Sequence, residues 1–143
     1  MFNYIILSDN SNPFYFIRDV FAGWHMCKVL IIDDEEAVRT LLTDVLTING
    51  IDTEAAANGS EGLEKFHRDE FDLVITDMVM PELNGNSVAS QIRSSHRPDT
   101  PIIGISGTTW LFEEDHFDLV FQKPMSMAAI VDAVRSLAPV KSL

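Results

Sequence analysis

The chain has 143 residues, 46% hydrophobic and 22% charged, with six Pro and seven Gly; this suits one domain with a real core and excludes a low-complexity chain. Its net charge of −12, from 22 acidic and 10 basic residues, repels phosphate backbones and argues against direct nucleic-acid binding. The single cysteine, Cys27, excludes an internal disulfide, the four histidines lack metal-ligand spacing, and no apolar run is long enough to span a bilayer.

Residues 1–26 stand apart. They concentrate aromatics (Phe2, Tyr4, Phe14, Tyr15, Phe16, Phe21, Trp24) and carry few charges. Two readings stay open: an aromatic arm that docks on the body or a partner, or an extension upstream of a biological start at Met26. The stretch lacks the basic start and long apolar run of a secretory signal, so a cytoplasmic protein is expected.

From Lys28 on, strands and helices alternate. KVLII (28–32) is a continuous apolar run, the pattern of a parallel strand covered on both sides. Val38, Leu41, Leu42, Val45 and Leu46 follow at helical spacing, and Asn49-Gly50 supplies the stop. IDTEAA (51–56) reads as a second strand. Asn58-Gly59-Ser60 opens a helix to about Arg68, with Leu63 and Phe66 inward. LVIT (73–76) is a third strand, followed by a helix from about Ser87 to Ser95. PIIGIS (101–106) and the short LVFQ (119–122) are the fourth and fifth strands. Ser126 to Leu137 forms a last amphipathic helix, with Ile130, Val131, Val134 and Leu137 inward. Five strands alternating with helices imply an α/β fold, a doubly wound parallel sheet whose strand C-termini share one edge, where such sheets bind ligands.

At that edge strand one presents Asp33-Asp34-Glu35-Glu36, strand three Asp77, strand four Ser106 and strand five Lys123-Pro124. Singly, each has an ordinary explanation: a helix cap, loop chemistry, a turn, a solvated charge. In combination they place carboxylates, a hydroxyl and an ammonium together. Crowded carboxylates raise one another's pKa unless a cation neutralises them. Oxygen ligands without His or Cys suit Mg2+. Such a cation and a lysine around a carboxylate are what phosphoryl transfer requires, which points to Asp77 as a phosphorylatable aspartate.

Asp33-Asp34, the D-x-x-M-P-x-x-x-G run from Asp77 to Gly85, Ser106 and Lys123-Pro124 resemble the receiver domain of bacterial two-component response regulators, in the manner of single-domain chemotaxis regulators. The resemblance covers roughly residues 27–140 and leaves 141–143 as a tail. It implies a flavodoxin-like sheet of order 2-1-3-4-5 and phosphoryl transfer from a histidine kinase or phosphotransfer protein to Asp77. It further implies Mg2+ held by Asp34, Asp77 and the backbone carbonyl of Val79, with Asp33 assisting. Lys123 and the backbone N–H groups of Val79 and Gly107 would face the phosphoryl group, Ser106 would act as a switch, and the Lys123–Pro124 bond would be cis.

The sequence also departs from that pattern. Val120 stands where the family carries an aromatic switch residue, three positions before the lysine. The interval between Ser106 and Lys123 is short, so the fourth helix is expected to be shortened or irregular. Trp110, Leu111 and Phe112 are expected to pack on the body rather than form an exposed contact. Only 20 residues follow Lys123, which leaves no room for an output domain; the chain then acts by binding an unknown downstream protein, or is part of a larger one. Other functions call for other residues. A haloacid-dehalogenase-type phosphatase wants D-x-D, whereas Asp77-Met78-Val79 lacks the second Asp. A flavin-nucleotide binder wants a Ser/Thr/Gly loop, not the acidic run at 33–36. A receiver-shaped scaffold that is never phosphorylated remains open.

Overall fold

The computed structural model describes residues 27–108 and 111–138. The 1–26 segment, Trp110 and the 141–143 tail lie outside the described residues.

Among the described residues the strands and α-helices follow in the order β1 (Lys28–Ile32), α1 (Glu36–Ile48), β2 (Asp52–Ala56), α2 (Gly59–Arg68), β3 (Leu73–Asp77), α3 (Gly85–Arg93), β4 (Ile102–Ser106), β5 (Leu119–Gln122) and α4 (Met127–Leu137). The strands form one parallel sheet in the order β2-β1-β3-β4-β5, in register Ile31 with Ala55 and Ile75, Ile75 with Ile103, and Ile103 with Leu119. The expected flavodoxin-like sheet is therefore present.

The two-residue period of β1 divides the core. Val29 and Ile31 face α1 and α4, packing with Leu42, Leu46, Ile75, Ile105, Ile130 and Val134. Leu30 and Ile32 face the other way, beside Val74 of β3 and onto Leu63, Phe66, Val88 and Ile92 of the α2 and α3 layer. A strand buried on both faces must be apolar at every position, which is why KVLII does not alternate.

Local signals set the helix ends. Asn58 caps α2 by accepting from Glu61 N at 2.8 Å, while the Glu61 carboxylate accepts from Ala57 N at 3.0 Å. Asn84 and Ser126 cap α3 and α4 by accepting from Ser87 N and Ala129 N. The Asn84 cap starts α3 at Gly85, two residues earlier than expected. Gly50, at φ +78°, ends α1. Leu41 sits at helical spacing yet is 48% exposed; α1 buries its Leu42 and Leu46 flank, and Leu41 falls outside that stripe.

Between β4 and β5 no α-helix is found among the described residues; the regular element there is a 3-10 turn at Glu114–His116. This agrees with the shortened fourth helix. Phe112 is buried, whereas Leu111 is exposed. Asn86 on α3 clasps this segment, donating to Leu111 O at 2.8 Å and accepting from Glu113 N at 2.9 Å. Arg93 holds its far end, donating to His116 O and to Asp118 Oδ2, which also accepts from Ile102 N. No helix among the described residues is long and apolar enough to cross a membrane.

Candidate functional site

Parallel strands with one-sided exits bring the tips of β1, β3 and β5 to a common edge. Asp33 follows β1 directly, Asp77 is the last residue of β3, and Lys123 follows β5. Asp33 and Asp77 are both buried, at 2% and 5% exposure. Lys123 Nζ reaches between them, 3.6 Å from Asp33 Oδ2 and 3.7 Å from Asp77 Oδ1.

Each group is anchored by backbone. Asp33 Oδ1 accepts from Glu35 N at 2.8 Å, and Arg39 donates to the Asp33 carbonyl at 2.8 Å. Asp77 Oδ1 accepts from Met78 N at 2.9 Å. Gly85 lets the following loop close on this strand tip: Gly85 N donates to Met78 O at 2.9 Å, and a β-carbon there would stand 2.6 Å from Asp77 O. The Gly of the D-x-x-M-P-x-x-x-G run thus serves close approach. The Lys123–Pro124 bond is cis.

The electrostatics are those of a pocket short of positive charge. Burial, then the charge of Asp33, raises Asp77 to about 6, against the opposing pull of Lys123. Burial likewise raises Asp33, although the Glu35 N–H and Lys123 counteract it. Burial by itself would lower Lys123; Asp33, Asp77 and Glu35 outweigh it and hold the ammonium firmly protonated. One ammonium does not neutralise the carboxylates it faces. Among the described residues the groups there that could ligate a metal are carboxylate oxygens, so the pocket fits a hard divalent cation such as Mg2+.

Not every residue singled out in the sequence joins this group. Asp34 is exposed; its charge is felt at Asp77. Val79 is 61% exposed on the loop after β3. Ser106 is buried at the end of β4, where its hydroxyl accepts from Thr108 N at 3.1 Å and lies 3.3 Å from Thr108 Oγ1. Val120 is partly exposed on β5. Sequence reasoning missed Glu35: carboxylate oxygens of Asp33, Glu35 and Asp77 lie within 4.8 Å of one another. The signal was the acidic run itself, whose third member the turn at Asp33 brings to the rim of the pocket.

Known proteins share this fold and much of this sequence. The model of the response regulator receiver domain matches residues 29–135. The chain is 32% identical to the response regulator MprA of Mycobacterium leprae over 115 residues, covering 77% of this chain and 50% of MprA. It is 35% identical to the sensor histidine kinase AtsR of Burkholderia thailandensis over 117 residues, covering 75% of this chain and 19% of AtsR. The chain spans 19% to 50% of the length of the curated relatives it matches. Among solved structures, the response regulator TrrA of Thermotoga maritima, in complex with Mg(2+)-BeF, superposes with a TM-score of 0.73 at 31% identity, covering 78% of this chain and 99% of that one. A receiver domain protein of Clostridium thermocellum gives a TM-score of 0.73 at 26% identity, covering 79% and 94%. The family match runs from β1 into α4 and so takes in all five strands and the edge at which Asp33, Asp77 and Lys123 meet, and this chain belongs to the response regulator receiver domain family.

Proposed function

We propose that this chain is a phosphoacceptor of a two-component phosphorelay, with residues 27–140 as the receiver and Asp77 as the residue modified. The observation that carries this reading is the convergence of Asp77 and Asp33 on Lys123 Nζ at 3.7 and 3.6 Å. A carboxylate oxygen of Asp77 attacks phosphorus in-line as the bond to the donor's histidine nitrogen breaks, leaving an acyl phosphate on Asp77. The donor nitrogen retains the electron pair of the broken bond. Burial of Asp77 removes the water that would otherwise shield the nucleophile.

Asp34, Asp77 and the Val79 carbonyl would hold Mg2+, with Asp33 assisting. Bound there, Mg2+ would neutralise phosphoryl oxygens and lower the repulsion between them and the carboxylate. Lys123 supplies a fixed positive charge to the same oxygens, and the N–H groups of Val79 and Gly107 donate to them. Ser106 turns its hydroxyl from Thr108 toward the phosphoryl group and draws the following loop with it. Hydrolysis of the acyl phosphate returns Asp77 to the carboxylate. Donor and output are proteins, a histidine kinase or phosphotransfer protein upstream and a binding partner downstream, in the cytoplasm and without contact to nucleic acid or membrane.

A receiver-shaped scaffold that is not phosphorylated is the second reading. It is favoured by Val120 at the switch position and by the replacement of a helix with a 3-10 turn at Glu114–His116. Incubation with Mg2+ and acetyl phosphate separates the two. The acceptor gains the mass of one phosphoryl group, and Asp77→Asn abolishes the gain. Unchanged mass with both acetyl phosphate and a phosphorylated histidine kinase favours the scaffold.

A further inference from the structure

The acidic pocket contains a charged group to which neither the family pattern nor the reading above gives a part. Glu35 Oε1 is the nearest carboxylate oxygen to Lys123 Nζ, at 3.4 Å, and accepts a hydrogen bond from it. The Asp33 and Asp77 oxygens stand further off, at 3.6 and 3.7 Å. One oxygen each from Asp33, Glu35 and Asp77 lies within 4.8 Å of the others. Ligands of one hard divalent cation are about 3 Å apart when adjacent and about 4–5 Å apart when opposed, given metal–oxygen bonds of about 2.1–2.4 Å. The three carboxylates therefore already stand at roughly the spacing a single cation bridges.

This placement has a local cause. Because Asp33 Oδ1 accepts from Glu35 N, residues 33–35 form an Asx turn, which folds the chain back over Asp33. The fold-back carries the residue 35 side chain, and not that of Asp34, to the carboxylates of Asp33 and Asp77. The Glu35 side chain is itself 62% exposed, so it is free to rotate without disturbing the core.

We propose that Glu35 is a further carboxylate of the cation pocket, beside Asp33, Asp34 and Asp77, holding Lys123 in the resting state and turning onto the cation when one enters. Its turn frees the Lys123 ammonium for phosphoryl oxygens. The pocket thus carries its own counter-ion, exchanged when the site is loaded. This rests on the cation-dependent reading of the site given above.

Calorimetric titration of the full chain with MgCl2 tests it, with Glu35→Gln, Glu35→Asp and Glu36→Gln beside the wild type. Glu36 is exposed at the start of α1, so its variant removes the same charge one residue away. Glu35→Gln is expected to weaken Mg2+ binding about tenfold, the lower end of what a lost metal-site partner costs. Glu35→Asp, which keeps the charge but withdraws the carboxylate by one methylene, weakens it as well, and Glu36→Gln leaves it unchanged. Wild-type uptake of Mg2+ that Glu35→Gln does not alter overturns this proposal alone. A loss in Glu35→Gln that Glu35→Asp does not share is a long-range charge effect and also overturns it. No uptake by the wild type overturns the cation-dependent reading and this proposal together.

Discussion

The ring of Phe112 fills the space above Gly104: a β-carbon at position 104 would lie 2.5 Å from its Cε1 and 2.8 Å from its Cζ. Phe112 is buried and meets Phe117 edge-on, with ring centroids 4.6 Å apart. Gly104 shares its sheet face with Ile102, on the side of α2 and α3. An irregular segment thus covers with one aromatic ring a part of the sheet near its β5 edge, and the absence of a side chain on β4 makes the fit.

Gly104→Ala is therefore expected to destabilise the protein by about 1–3 kcal/mol, as overpacking does. Phe112→Ala, which leaves a cavity, costs about 3–5 kcal/mol. In the double variant the Gly104→Ala increment largely disappears, giving a coupling of at least about 1 kcal/mol. Urea denaturation of the four proteins measures this cycle, and simple additivity would contradict the contact.

The site should make stability depend on pH in the sense opposite to an ion-paired carboxylate. Asp77 is raised from 3.8 to about 6, so between these values the folded state holds a proton that the unfolded chain releases. Its contribution is fully present below about pH 4 and is lost as pH rises through about 6. A gap of two pKa units corresponds to about 3 kcal/mol. Asp77→Asn, which keeps the acceptor for Met78 N, is expected to be more stable than the wild type by about 1–3 kcal/mol at pH 7 and to flatten the decline. Urea melts without divalent cations at pH 4 and pH 7 check this; equal slopes for the two proteins would refute it.

Gly85 offers a backbone test of the same strand tip. Its missing side chain lets α3 start 2.6 Å, in β-carbon terms, from the carbonyl of Asp77, and the obstructing atoms belong to backbone. Gly85→Ala must push the loop away from β3, at a cost of about 1–3 kcal/mol. Because Asp77 moves with its backbone, the rate of mass gain from acetyl phosphate should drop as well, even at temperatures where circular dichroism shows the variant fully folded. An unchanged rate would mean that the loop yields without disturbing Asp77.

Much of the fold was legible residue by residue. The runs at 28–32, 73–76 and 101–106 are apolar at nearly every position because a central parallel strand is covered on both faces. Asn58 and Ser126 mark helix starts because one side-chain oxygen satisfies an otherwise orphaned N–H, whereas the same device at Asn84 was not read and α3 was expected only from about Ser87. The segment between Ser106 and Lys123 was harder to read. Its length forbade a full helix, but Asn86 and Arg93, the residues that secure it, lie on α3 and signal nothing locally.

By itself, then, the sequence determined the alternation of elements, and with it the edge at which Asp33, Asp77 and Lys123 arrive, since strand period and crossover handedness leave little choice. Tertiary structure alone decided which oxygens meet. Asp34 and Glu35 are neighbours in an acidic run, and only the turn at Asp33 places Glu35 rather than Asp34 within 3.4 Å of Lys123. The physical reason is that pattern acts through periodicity over several residues, whereas an ion pair depends on side-chain direction at one. That direction is set by a hydrogen bond and by a lysine 88 positions away.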